Sequence, residues 1–251
     1  MRKTLFLFLF FCCVQAAGFA QGSDASTLFY DGNLAYKNGK YAQAVADYEA
    51  VRAAGLESGP LYYNLGNSYF KAGEIGKAVL NYERAKFFVP ADQDLKTNLN
   101  YALGVLEIVR PVSIGGQVMD VLFGPLSVNT MALLLSALFL LILIMLKVRL
   151  FVPAAKRLAS AVAIVLFAVF IAGCVYFYQK VVYLNYGGIV VTHKAEIKFE
   201  PQSNGTNYFE LGEGDTVTVV EHAPGWYKVK RLDGKLGWVD SRSVALISYK
   251  I

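Results

Sequence analysis

The sequence predicts a multidomain membrane protein: an all-α body of helical hairpins, two transmembrane helices and a small all-β barrel. Three observations carry that expectation. Two stretches, beginning at Phe29 and Tyr63, repeat one another at an offset of 34 residues. Two long apolar windows hold no charged residue, one between Asp120 and Lys147 and one between Arg157 and Lys180. From Gly187 onward the chain changes to short alternating runs broken by turn residues. The composition agrees. Of 251 residues, 55% are apolar and 17% charged, against about 25% charged in a soluble domain, and the mean hydropathy is +0.41. Such a chain is neither disordered nor a wholly soluble globule.

Residues 1–20 read as a signal peptide. Arg2 and Lys3 form a basic start and Leu5 to Val14 a short apolar core. Gly18-Phe19-Ala20 ahead of Gln21 supplies the small-x-small pattern of a cleavage site. An uncleaved anchor is the alternative. Cys12 and Cys13 do not sit in a lipobox, and with Cys174 they make neither a disulfide framework nor a zinc spacing.

Residues 21–110 hold the repeat. Gly32/Gly66, Asn33/Asn67, Lys37/Lys71, Gly39/Gly73, Ala44/Ala78, Val45/Val79, Tyr48/Tyr82 and Glu49/Glu83 are identical pairs. A 34-residue period of two helices is the tetratricopeptide signature. The small residues Gly66 and Ala78 let paired helices approach, Leu65, Tyr69 and Tyr82 fill the space around them, and Gly73 and Pro90 end the two helices. The first copy has Asp31 and Ala35 where the second has Leu65 and Tyr69, as a terminal repeat tolerates. A further helix from Asp92 onward caps the stack, because Arg110-Pro111 and Gly115-Gly116 leave no room for its partner.

Arrays of this kind hold peptide segments in the concave face lined by their first helices. By register, Phe29, Asn33, Tyr36 and Lys37 line it in the first repeat and Tyr63, Asn67, Phe70 and Lys71 in the second, with Asn64 and Asn98 in the neighbouring row. Asparagine amides donate to and accept from a peptide backbone, and Lys37 and Lys71 suit a carboxylate. The competing reading leaves the lysines on a solvated face and the asparagines on local backbone. Phe29 and Asp94 stand where a carboxylate clamp needs lysines, so a C-terminal carboxylate is not the main determinant.

Residues 111–125 form a linker. Spans follow at 126–147 and 158–179, each long enough for a bilayer, which needs about 20 apolar residues. Between them, loop 148–157 and its edges hold Lys147, Arg149, Lys156 and Arg157 and no acid. The positive-inside rule puts that loop in the cytoplasm and both flanking bodies on the far side, in agreement with the signal peptide. The formal charge of +5 is therefore a topology signal. Residues 21–124 carry nine basic against eleven acidic residues, and residues 180–251 nine against eight. Neither body has the basic patch that nucleic acid requires.

In residues 187–251, Ser203-Asn204-Gly205, Glu213-Gly214-Asp215, Pro224-Gly225 and Asp233-Gly234 are turns between strands. Val217, Val219, Trp226, Tyr227, Val229, Trp238 and Val239 are the expected packing set. The runs IVVTHKAEIKFEPQ, LGEGDTVTVVE and GWYKVKRLDGKLGWV resemble a bacterial Src-homology-3-like (SH3-like) domain. That resemblance implies a small barrel binding peptides or cell-wall polymer. Trp226, Tyr227 and Trp238 are its candidate surface aromatics, with Trp238 expected in the core and Trp226 partly exposed.

No catalytic constellation is legible. There is no phosphate loop, the two histidines His193 and His222 lie far from any nucleophile, and metal chemistry has almost nothing to work with. The carboxylate pairs Glu196/Glu200 and Glu213/Asp215 read as solvated. The expectation is a non-enzyme without cofactor or metal.

The order of signal peptide, tetratricopeptide pair, two membrane helices and SH3-like domain resembles the BatE family of the Bacteroides aerotolerance operons, over essentially the whole chain. GNSYFKAGEIGKAVLNYERA and GWYKVKRLDGKLGWV are the motifs that carry the likeness. It implies an inner-membrane periplasmic scaffold, von Willebrand A-type membrane proteins as neighbours, and a link to aerotolerance or oxidative stress. Two other readings stand beside it. One is a cell-envelope sensor whose SH3-like domain binds peptidoglycan. The other is a transporter subunit, which is weakened because neither apolar window holds a charged residue.

Overall fold

The structure is a computed structural model and describes residues 24–110 and 113–248. The expected signal peptide lies outside the described residues.

The N-terminal body is five helices: α1 (residues 24–37), α2 (Tyr41–Ala53), α3 (Gly59–Lys71), α4 (Ile75–Phe88) and α5 (Gln93–Val105). Each packs on the next, and the repeat is visible atom by atom. A Cβ on Gly32 would lie 2.7 Å from the Tyr48 ring, and one on Gly66 would lie 2.6 Å from the Tyr82 ring. Helix and ring meet face to face only because the side chain is absent. Gly39 and Gly73 close the two hairpins at φ of 74° and 86°, a region that favours glycine. Helix α4 stops at Phe88, two residues before Pro90. Ser58 and Asp92 cap α3 and α5 by accepting from Leu61 N and Leu95 N.

The segment expected as a linker contains a short helix, α6 (Ile114–Phe123). Then come α7 (Val128–Phe151) and α8 (Lys156–Tyr186), joined by Val152 and a single 3₁₀ turn, Pro153–Ala155. Both are long and apolar enough to cross a membrane. They pack together along their length. A Cβ on Gly173 would stand 2.8 Å from Leu135 Cδ2, so this glycine permits the approach. The four basic residues expected in a loop all lie on helix ends: Lys147 and Arg149 on α7, Lys156 and Arg157 on α8.

Helix α8 runs straight into β1 (Gly187–Val190) with no linker. The remaining strands are β2 (Lys194–Lys198), β3 (Asn207–Gly212), β4 (Thr216–Ala223), β5 (Trp226–Lys230), β6 (Leu236–Asp240) and β7 (Val244–Leu246). They form one antiparallel sheet in the order β3-β2-β6-β5-β4-β1-β7. Among the described residues no pairing joins β3 to β7, so the sheet has two ends. Its core is Val190, Ala195, Ile197, Leu211, Val217, Val219, Val229, Val239 and Val244. The turns fall where glycine punctuation put them, with Gly214, Gly225 and Gly234 at φ of 81°, 77° and 88°.

Helical body and sheet share one core. Ile189 and Ile247 from the sheet belong to the helical cluster, with Tyr183 and Leu184 of α8 packed against it. Polar groups of α4 stitch the two together. The Arg84 guanidinium donates to the carbonyls of Leu246 (2.7 Å) and Ile247 (3.2 Å). Glu83, with 1% of its side chain accessible, pairs with Arg110 at 2.5 Å, and Arg110 also donates to Thr216 Oγ1 at 3.2 Å. Burial pushes the Glu83 carboxyl up, but the charges of Lys86 and Arg110 and the Arg110 hydrogen bond outweigh it and hold it below its usual value.

The expectation that Glu213 is solvated is corrected here. Only 9% of its side chain is accessible. One carboxylate oxygen accepts from Gly76 N at 2.6 Å and the other meets His193 Nδ1 at 2.7 Å. Helix α4 has no side-chain cap of its own at Glu74. A carboxylate from the sheet satisfies its first turn instead, where the helix dipole favours negative charge.

Candidate functional site

The helical body presents a ladder of asparagines and tyrosines. Asn33 on α1 accepts at Oδ1 from the Tyr48 hydroxyl (2.7 Å) and from Asn64 Nδ2 (2.9 Å). One repeat later, Asn67 on α3 accepts from the Tyr82 hydroxyl (2.8 Å) and from Asn98 Nδ2 (3.0 Å). Asn98 also donates to the Tyr63 hydroxyl at 2.9 Å. Asn33 and Asn67 thus each tie a helix to its hairpin partner and to the first helix beyond that hairpin. Burial pushes the Tyr48 phenol up to about 12 and moves Tyr82 in the same direction. Both remain protonated in the physiological range, so both hydroxyls always donate.

Beside the second rung lies a groove of about 380 Å³, lined by Tyr36, Tyr63, Asn67, Phe70, Lys71, Tyr82, Asn98 and Tyr101. Six of the ten residues placed in a groove from the sequence therefore come together there. The other four do not line it. Phe29 is half-buried with its ring 5.7 Å from that of Tyr48. Asn33 and Asn64 hold each other, and Lys37 is exposed at the end of α1. Tyr82 and Tyr101 were missed. Tyr82 was assigned to packing alone, yet its ring forms the floor. Tyr101, 65% exposed and 5.5 Å from the Phe70 ring, stands 34 residues after Asn67. Extending the repeat register by one copy finds it.

The asparagines are not held by local backbone; their partners are side chains on other helices. With Oδ1 of Asn67 doubly engaged, the amide nitrogen is the group this lining side chain has left to offer. Aromatic walls, an amide donor and the Lys71 ammonium suit an extended polypeptide segment with an apolar or aromatic side chain and an acceptor close by.

The sheet offers a second surface. Trp238 pairs across the ladder with Lys228 and Lys198, and Trp226 with Asp240, so Trp226, Trp238 and both lysines share one face. The Lys228 ammonium lies 5.4 Å from the Trp238 ring and 3.0 Å from Glu221. Lys198 stands 6.0 Å from the Trp226 ring. Trp238 was expected in the core and is only half-buried. The alternation of β6 gives the inward positions to Gly237 and Val239 and turns Trp238 outward. Tyr227 lies on the opposite face, paired with Val239 and His222 and packed against the sheet core. The three aromatics do not form one surface. Sequence reasoning also missed Phe199 and Tyr208, 57% and 42% exposed, with ring centroids 4.4 Å apart. The β2–β3 register shifts between Ile197 and Lys198: Lys198 pairs with Asn207, and Tyr208 is the extra, unpaired residue of β3. Phe199 follows the end of β2 and lies against the Tyr208 ring, a placement set by cross-strand pairing that reading one strand at a time does not show.

Residues 195–245 match the family model of the bacterial SH3 domain. The match runs from β2 into β7 and leaves β1 and all the helices outside it. No curated protein matches the chain in sequence.

Proposed function

We propose that this protein is a membrane-anchored scaffold, not an enzyme. In this reading the helical body is a tetratricopeptide pair with a capping helix, and its groove captures a segment of a protein partner. The bacterial SH3 domain engages a second partner. Helices α7 and α8 anchor both bodies in an inner membrane, with the turn between them and the basic helix ends that flank it cytoplasmic and both bodies periplasmic. The shared core around Ile189 and Ile247 supports one side for both bodies, because a two-pass chain returns to the side it left. The likeness to the BatE family extends the reading to a Bat-type complex linked to aerotolerance, with von Willebrand A-type membrane proteins as partners.

The observation that carries the groove assignment is the convergence of Tyr63, Asn67, Phe70, Lys71 and Asn98 on one cleft. Asn67 is also a rung of the ladder, so its loss would disturb folding. The test therefore uses Phe70→Ala with Lys71→Glu in the full chain. Tagged protein extracted from cells that express it is expected to lose its co-purifying partner at unchanged protein yield. Retention of the same partner at the same level would refute the groove.

The half-buried Trp226 and Trp238 on one face of the sheet, and the exposed pair Phe199 and Tyr208, favour a second reading, an envelope sensor that binds peptidoglycan. Stacking of sugar rings on such aromatics would support it. Purified full chain retained on sacculi, and released by Trp226→Ala with Trp238→Ala, is the result this reading expects. A pure scaffold leaves the sacculi unbound.

A further inference from the structure

Helix α6 carries an apolar stripe that no described residue covers. Ile114, Val118, Val121 and Leu122 stand at i, i+4, i+7 and i+8 and are 83%, 51%, 76% and 60% exposed. At helical spacing they occupy one face roughly 100° wide. The opposite side of the helix is engaged. Asp120 Oδ1 accepts from the Tyr176 hydroxyl of α8 at 2.6 Å, and the Phe123 ring stands 5.7 Å from that of Tyr176. Just beyond the helix, the carbonyls of Gly124 and Leu126 accept from Lys180 Nζ at 3.2 and 2.6 Å. These contacts pin α6 at the level where the apolar run of α8 gives way to Tyr176, Gln179 and Lys180, the level of a membrane–water boundary. Only residues 124–127 separate α6 from the start of α7.

We propose that α6 is an interfacial anchor: a short amphipathic helix whose stripe dips into the boundary between lipid headgroups and acyl chains beside the two spans. The occupant follows from continuity. Four residues beyond the stripe's helix begins the exposed apolar surface that α7 and α8 present, including Leu133, Leu140, Ile164 and Phe167. The one acid of the helix, Asp120, is turned from the stripe into its bond with Tyr176. A cleft nearby adds Lys86 and Phe87 of α4, a basic and an aromatic group where headgroups would lie. Arg110, which locks helical body to sheet, precedes α6 by a few residues, so the anchor fixes the soluble bodies at a set height over the bilayer. The inference rests on reading α7 and α8 as spans, and the test separates the two.

The test uses the full chain with Cys12, Cys13 and Cys174 replaced by Ala, reconstituted in vesicles of phosphatidylethanolamine and phosphatidylglycerol. Single cysteines at Val118, Val121, Leu140 and Tyr30 carry a fluorophore, which is read against lipids with a nitroxide at a shallow or a deep acyl position and against aqueous iodide. Val118 and Val121 are expected to be quenched about twofold more by the shallow than the deep nitroxide, as a face about 5–10 Å into the boundary requires. Leu140 is expected to reverse that order and Tyr30 to respond to iodide alone. If Leu140 reports depth while Val118 and Val121 respond to iodide like Tyr30, α6 is not in the membrane and the proposal fails with the spans intact. If Leu140 reports depth and the two positions are shielded from lipid and iodide alike, a protein surface covers the stripe and the proposal also fails. Iodide quenching at Leu140 overturns the spans themselves.

Discussion

At Gly66 the interior has no room for a methyl group. The Tyr82 ring that a Cβ would strike at 2.6 Å is 2% exposed and tethered through its hydroxyl to Asn67, so it has nowhere to swing. Gly66→Ala is expected to cost about 1–3 kcal/mol, the usual penalty of overpacking, read as a lower thermal midpoint in detergent; an unchanged midpoint would contradict the packing described. Tyr82→Phe keeps the ring and removes the hydroxyl, at an expected cost of about 1 kcal/mol, and Asn67 loses one of the two donors that fix it. Glu83 ties stability to pH. Its folded value lies below the unfolded 4.5. Its contribution is therefore present above about pH 4.5 and lost as the pH falls through the folded value. Glu83→Gln removes that acid-side dependence and leaves Arg110 without its counter-charge. Denaturation curves at pH 7 and pH 4 check this: the wild type should lose more stability between them than the variant.

At the scale of elements, much was legible because it is periodic. The 34-residue offset located both hairpins, glycine placed the turns, and Ser58 and Asp92 marked helix starts by their own chemistry. The cap of α4 was not legible. Its carboxylate, Glu213, lies 137 residues from Gly76, and no local pattern encodes such a partner. Glu213→Gln keeps the shape and an acceptor but loses the charge at the helix N-terminus. It should cost about 0.3–1 kcal/mol, the range of a charge lost at a helix N-terminus, and raise amide hydrogen exchange at the start of α4. Exchange unchanged there would show that the sheet does not cap the helix. The groove was half legible for the same reason. Register put Asn33 and Asn64 on the right helices, but which amide a neighbouring side chain consumes depends on tertiary contact. Trp238 failed differently: a large apolar residue was given the core, while the pleat assigned inward positions to its small neighbours.

At the scale of the molecule, α4 joins everything. Its first turn is capped by the sheet, its middle holds the Glu83–Arg110 pair, and Arg84 reaches the carbonyls that end the sheet. The helical body and the bacterial SH3 domain are thus built as one unit standing on α8, and a ligand in the groove and a ligand on the sheet would share a frame. If both spans cross a bilayer, a reporter active only outside the cytoplasm should work when fused after residue 110 and after residue 248, and fail when inserted at Val152. Whether the groove holds a protein partner is decided by a photocrosslinking amino acid placed at Phe70 in living cells, with Tyr30 on the outer part of α1 as the reference position. A discrete crosslinked product is expected at Phe70, absent at Tyr30 and lost with Lys71→Glu. No product at Phe70, or the same products at both positions, would contradict it.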